Sequence, residues 1–151
     1  MNASDPQPYS RNFPGTVEAA AEAEAWIMSQ SQALGLGPAT EYAINLCLEE
    51  LFLNAVKHGR ANQASISIWA EPDGVRVEFV DDGGPFDPST APAKRISGPM
   101  EDFEIGGFGT GLVRKFSRSL SYSRSDGYNR LLLEFGVNRD ALPGKEAQKK
   151  T

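Results

Sequence analysis

The sequence predicts an α/β (α+β) two-layer sandwich, a mostly antiparallel sheet covered on one face by helices. Three observations carry this reading. Residues 16–34 and 38–58 hold apolar side chains three and four apart, as helices with one buried face do. Residues 64–79 and 120–137 alternate apolar and polar positions on either side of a turn sequence, as antiparallel hairpins do. A third short helical stretch, 109–119, lies between the hairpins with Leu112, Val113 and Phe116 as its apolar stripe.

The elements follow in order. Residues 9–13 are expected to form a short edge strand. Residues 16–34 are rich in Ala and Glu, place Val17, Ala20, Ala21, Trp26, Ile27 and Leu34 at buried positions, and stop at Gly35. The next helix starts at Pro38, a residue suited to a first helical position, and stops at Gly59. Its apolar face is Ile44, Cys47, Leu48, Leu51, Phe52, Ala55 and Val56. In the first hairpin Ile66, Ile68 and Ala70 face one way, Ser65, Ser67 and Trp69 the other, and Glu71-Pro72-Asp73-Gly74 turns the chain. Val75, Val77 and Phe79 continue the buried side. The second hairpin, 120–124 and 129–137, turns at Asp126-Gly127.

Length and composition bound the rest. A chain of 151 residues, 40% hydrophobic and 23% charged, is one domain with room for a core. No apolar run is long enough to span a membrane, and the polar N-terminus lacks a signal-peptide pattern, so a cytoplasmic location is expected. Cys47 is the only cysteine, which excludes an internal disulfide or a Cys-based zinc site. A net charge of −5 argues against direct nucleic-acid binding. The charge is uneven: residues 110–130 hold five basic side chains, Arg114, Lys115, Arg118, Arg124 and Arg130, against the single acid Asp126. These could meet phosphates or an acidic partner, or form a solvated surface.

Three stretches carry chemistry. In Leu48 to Gly59, Glu50, Asn54 and His58 stand four apart and stack along one helix face. Asn offers a neutral oxygen to Mg²⁺, and Glu can polarise a water or hydroxyl. The same row fits an ordinary solvated face, and His58 also fits a helix-end cation. In Val80-Asp81-Asp82-Gly83-Gly84-Pro85 a carboxylate at a strand end can accept a hydrogen bond from the exocyclic amine of adenine, while the glycines admit the ring. The stretch is equally a turn. In Gly106-Gly107-Phe108-Gly109-Thr110-Gly111 backbone N–H groups can approach phosphates at a helix start. No strand leads into it, so it is not a Rossmann fingerprint, and no Gly-Lys-Ser/Thr makes it a Walker A loop. It is equally a hinge. Residues 81–109 hold four prolines, eight charges and no clear element, which marks a functional or mobile loop; 87–105 is expected to act as a lid ordered by nucleotide.

Together these form a specific ordered set: E-x-x-x-N on a helix, D-x-G at a strand end, a long loop, then G-x-G-x-G at a helix start. The set resembles the ATP-binding domain of the gyrase, histidine-kinase and mismatch-repair (GHKL) superfamily, the Bergerat fold. Within it the chain looks most like the anti-sigma-factor serine/threonine-protein kinases of bacterial partner-switching systems. The resemblance covers about residues 13–137, with 1–12 a flexible segment or short edge strand and 138–151 a solvated tail. It implies that Glu50 is the general base and that Asn54 holds the metal. It also implies that Asn54, His58, Asp81, Gly83, Gly107, Gly109, Thr110 and Gly111 contact the nucleotide. Pro85-Phe86-Asp87-Pro88 continues in the style of this branch, although Gly83 is followed by Gly84-Pro85 rather than by a spaced glycine.

The implied cofactors are ATP and Mg²⁺, the metal bridging phosphates because Asn54 alone is a poor ligand set. The implied partners are a small anti-anti-sigma (STAS-type) protein, phosphorylated on a serine, and a sigma factor or similar target that is sequestered. No nucleic acid or membrane is implied, and a homodimer is allowed. An ATP-binding interaction module with little or no kinase activity remains an alternative. A detached histidine-kinase domain is disfavoured because no dimerisation helix pair is present and the only histidine lies in the Glu50–His58 row. A gyrase-type hydrolase is disfavoured because a transducer domain is lacking.

Overall fold

The computed structural model describes residues 9–88 and 110–137, which form eight elements. These are β1 (Tyr9–Pro14), α1 (Val17–Ala33), α2 (Pro38–Lys57), β2 (Gln63–Glu71), β3 (Gly74–Asp81), α3 (Thr110–Phe116), β4 (Ser119–Ser125) and β5 (Tyr128–Gly136). The expected lid, with Gly107 and Gly109, lies largely outside the described residues, as does the tail from residue 138.

Local chemistry sets the boundaries. Thr16 caps α1 by accepting the Ala19 N–H on Oγ1 at 3.2 Å. Gly35 follows at φ +67°, a conformation that lets the chain leave the helix. Pro38 opens α2 and His58 closes it, donating its backbone N–H to the Asn54 carbonyl at 2.9 Å. Helix α3 is shorter than the expected 109–119, ending at Phe116. The Ser117 hydroxyl donates to the Val113 carbonyl at 2.6 Å, and the Arg118 N–H leaves the helix to reach the Glu134 carbonyl at 2.6 Å. Residues 118 and 119 therefore belong to the sheet side of the chain. Asp126 (φ 53°) and Gly127 (φ 82°) both take positive φ, as the two-residue turn between β4 and β5 requires.

The strands lie in the order β1-β2-β3-β5-β4, with every neighbouring pair antiparallel. The expected two-layer architecture is the one observed. Ile66, Ile68, Val75, Val77, Phe79, Leu131, Leu133 and Phe135 point to one face and are buried. Ser65, Ser67, Trp69, Arg76, Glu78 and Glu134 occupy the alternate positions and are not. Helix α2 lies in the middle of the helical layer, against α1 on one side and α3 on the other, over β3 and β5. Its expected face is buried: Ile44, Cys47, Leu48, Leu51, Phe52 and Ala55 are each at most 8% exposed, and Val56 packs at the margin. Phe52 links the layers. Its ring meets Phe13 of β1 at 6.2 Å and Phe79 of β3 at 6.0 Å, both edge-on.

Three of the basic residues of 110–130 serve separate contacts. Arg118 pairs with Glu134 and Asp73, Arg130 pairs with Glu78, and Arg124 turns into the site described next.

Candidate functional site

Two elements bring the site together: the C-terminal half of α2 and the C-terminal end of β3. Glu50 and Asn54 stand one turn apart on α2, and the Asn54 Nδ2 donates to Glu50 Oε1 at 3.4 Å. Neither lies on a solvated face, since Glu50 is 0% and Asn54 5% exposed. Burying a carboxylate and an amide side by side is costly unless they serve each other or a ligand, so their burial is the first sign of a built site. Glu49 points elsewhere, towards Glu24 of α1. Burial, and then the charge of Glu49, push the Glu24 carboxyl above its ordinary range. His58 ends α2 and is exposed.

Asp81 ends β3 and is 5% exposed. Its Oδ1 accepts the Gly83 N–H at 2.8 Å and the Asn129 Nδ2 at 3.1 Å. No described residue bonds Oδ2. The Gly84 N–H donates to the Gly59 carbonyl at 2.9 Å, which ties the exit of β3 to the end of α2. The departure from a spaced glycine does not disturb this tie, which is made by the main chain alone. A cleft opens between these elements. Leu51, Ala55, Phe79 and Leu131 give it apolar walls, and Asn54, Asp81 and Asn129 are its polar groups. Gly111 lies in the first turn of α3, and Thr110 begins that helix.

Three residues that sequence reasoning missed complete the site. Asn129 of β5 pairs directly across the sheet with Asp81. Its Oδ1 accepts the Tyr122 hydroxyl at 2.6 Å and the Arg124 guanidinium at 2.9 Å. Arg124 also donates to the Gly83 carbonyl at 3.0 Å. A signal was present in the sequence. Asn129 shares its parity with Leu131, Leu133 and Phe135, so an amide occupied a core-facing slot.

The arrangement suits an adenine nucleotide. A carboxylate with one oxygen left over lies at the end of an apolar slot, as recognition of a planar base with an amine edge requires. Among the described residues no group of three or more acidic, His or Cys side chains could hold a metal. A cation here would take the Asn54 carbonyl oxygen and rely on phosphate oxygens for the rest, which fits Mg²⁺.

Comparison with known proteins agrees. The family described as histidine kinase-like ATPase domain matches residues 13–135. This chain belongs to that family. ATP binding, the family's common property, comes with membership. Serine/threonine-protein kinase BtrW of Bordetella bronchiseptica is 30% identical over 96 residues, which cover 61% of this chain and 68% of that protein. A solved structure of the RsbU and RsbW domains of Rv1364c from Mycobacterium tuberculosis superposes with a TM-score of 0.61 at 14% identity. The match covers 87% of this chain and 32% of the Mycobacterium chain, and at that identity it shows the shared fold. The resemblance to the anti-sigma-factor kinases read from the motifs stands with these relatives. Among the described residues no helix is long and apolar enough to cross a membrane.

Proposed function

We propose that this protein is a cytoplasmic protein-serine kinase of the anti-sigma type, which uses Mg²⁺ and ATP. It would phosphorylate a serine on a small anti-anti-sigma (STAS-type) partner and sequester a sigma factor or similar target. The observation that carries the reading is the buried Glu50–Asn54 pair, one helical turn apart on α2, with Asp81 of β3 facing the cleft that Asn54 lines.

The residues divide the work. Asp81 accepts the hydrogen bond of the base amine, and Gly83 lets the ring approach. Asn54 holds the metal through its carbonyl oxygen, and Mg²⁺ when bound supplies charge neutralisation for the phosphates. Backbone donors of Gly107, Gly109, Thr110 and Gly111 receive the phosphate chain, and His58 borders it. Glu50 orients the acceptor hydroxyl and takes its proton. Phosphoryl transfer depends mostly on positioning and charge, so one base, one metal ligand and a row of backbone donors suffice.

The test is transfer of labelled phosphate from ATP to a purified STAS-type partner, with binding measured in parallel. Glu50→Gln should keep ATP and partner binding and lose about 10²–10⁴-fold of transfer, the contribution of a general base. Glu49→Gln, which faces α1, should transfer normally. ATP-dependent partner binding without any transfer by the wild type would instead establish the interaction-module reading.

A further inference from the structure

The geometry points to Asn129 as the positioning residue that sets base specificity, by holding Asp81 through Oδ1 so that Oδ2 alone meets the base. This rests on the reading of Asp81 given above and concerns the same site.

The orientation of the Asn129 amide is fixed by its neighbours. Two donors converge on Oδ1, the Tyr122 hydroxyl at 2.6 Å and the Arg124 guanidinium at 2.9 Å. Three acceptors surround Nδ2: Asp81 Oδ1 at 3.1 Å, the Gly83 carbonyl at 3.4 Å and the Gly84 carbonyl at 2.8 Å. Turning the amide over would set oxygen against three acceptors and nitrogen against two donors, so only one orientation satisfies the site. Asn129 is 2% exposed and its hydrogen-bonding capacity is taken up by the protein. Although it borders the cleft, both of its polar atoms are engaged by the protein, so its effect on the base runs through Asp81.

The consequence concerns what the cleft accepts. With Oδ1 occupied by the Gly83 and Asn129 N–H groups, Asp81 has one acceptor oxygen to offer. A purine with an amine there is bound, and one with a carbonyl there meets oxygen against oxygen. Without Asn129 the carboxylate would lose a side-chain contact that fixes its plane, and the preference for an amine would weaken. A residue serving only the fold would lower the affinity of every nucleotide alike.

The experiment compares ATP with purine riboside triphosphate, which lacks the amine and keeps the phosphates. Calorimetry on the full chain should give a wild-type preference for ATP on the order of 10- to 100-fold, the worth of one hydrogen bond to a charged group. Asn129→Val and Asn129→Thr are nearly isosteric, suit a strand, and differ by one hydroxyl that can donate to Asp81. Asn129→Val should lose most of the preference, with its affinity for the purine analogue little changed, and Asn129→Thr should keep the larger part. Should Asn129→Val not fold by circular dichroism, Asn129→Ala carries the same comparison. A wild-type preference retained in the donor-less variant, or an equal loss for both nucleotides, overturns the inference while leaving the role of Asp81 intact. A wild type that binds ATP without preferring it to the analogue overturns the reading of Asp81 itself.

Discussion

Gly83 lies against Gly59 so closely that a side chain cannot enter: a Cβ built on Gly83 would stand 2.9 Å from the Gly59 carbonyl oxygen and 2.9 Å from Asp81 Oδ1. The loop after β3 thus closes against the end of α2 at the same point where Asp81 is held. Gly83→Ala should force these apart, at a cost of about 1–3 kcal/mol of stability for an overpacked contact. ATP affinity should fall with it. Denaturant unfolding and calorimetry on the variant check both; a stable variant with normal affinity would show that the contact yields freely.

A base contact on Asp81 would tie nucleotide binding to pH. Burial pushes its carboxyl above the ordinary 3.8; Asp82 adds to the rise, while Asn129, the Gly83 N–H and Arg124 oppose it. A carboxyl with a higher pKa in the folded chain holds its proton more readily there than in the unfolded chain. The contribution to stability is present below the ordinary value and is lost as pH rises through the raised one. Base recognition favours the ionised carboxylate, so affinity should run the other way. ATP binding should weaken on acidification beginning above the usual aspartate range. The purine analogue titrates with the same phosphates and should lack this component. Parallel pH profiles for the two nucleotides would contradict the assignment.

Phe52 joins β1, α2 and β3 through edge-on ring contacts and is 1% exposed. Phe52→Ala should cost about 3–5 kcal/mol, the range for removing a buried ring. The urea midpoint reads this directly, and an unchanged midpoint would mean that the two layers do not meet through this ring.

Cys47 is wholly buried, and burial, with Glu50 nearby, pushes its thiol up to about 12. Alkylation requires the thiolate in contact with reagent. Labelling of the native protein should therefore be as slow as unfolding and become fast in denaturant. Rapid labelling under native conditions would show an opening near α3 that this packing does not allow.

How much of this was legible in the sequence depends on the range of the physics involved. The helices and hairpins follow from local periodicity and turn chemistry, and Gly35, Pro38 and Asp126-Gly127 marked their ends. The residues of α2 that face the core were readable for the same reason. The placement of β5 between β3 and β4 was not, because it depends on which strands pair across the long connection after Asp81. Asn129 was hidden behind that pairing: its parity showed it facing inward, but only the β3–β5 register sets it opposite Asp81. The burial of Glu50 and Asn54 was likewise hidden. Their four-residue spacing describes a face, and only the packing of α2 over β3 and β5 decides that this face is buried, with Asn54 at the cleft. The short α3 ended where Arg118 found Glu134, a contact between residues distant in sequence.

The central claim is that ATP sits between α2 and β3 with its base amine on Asp81. Calorimetry of ATP binding in millimolar Mg²⁺, for the wild type and for Asp81→Asn, tests it most directly. The account predicts saturable binding by the wild type and a loss of about 1–3 kcal/mol in the variant, the cost of spoiling one buried polar contact. A wild type that binds no ATP, or a variant that binds it equally well, would contradict the account.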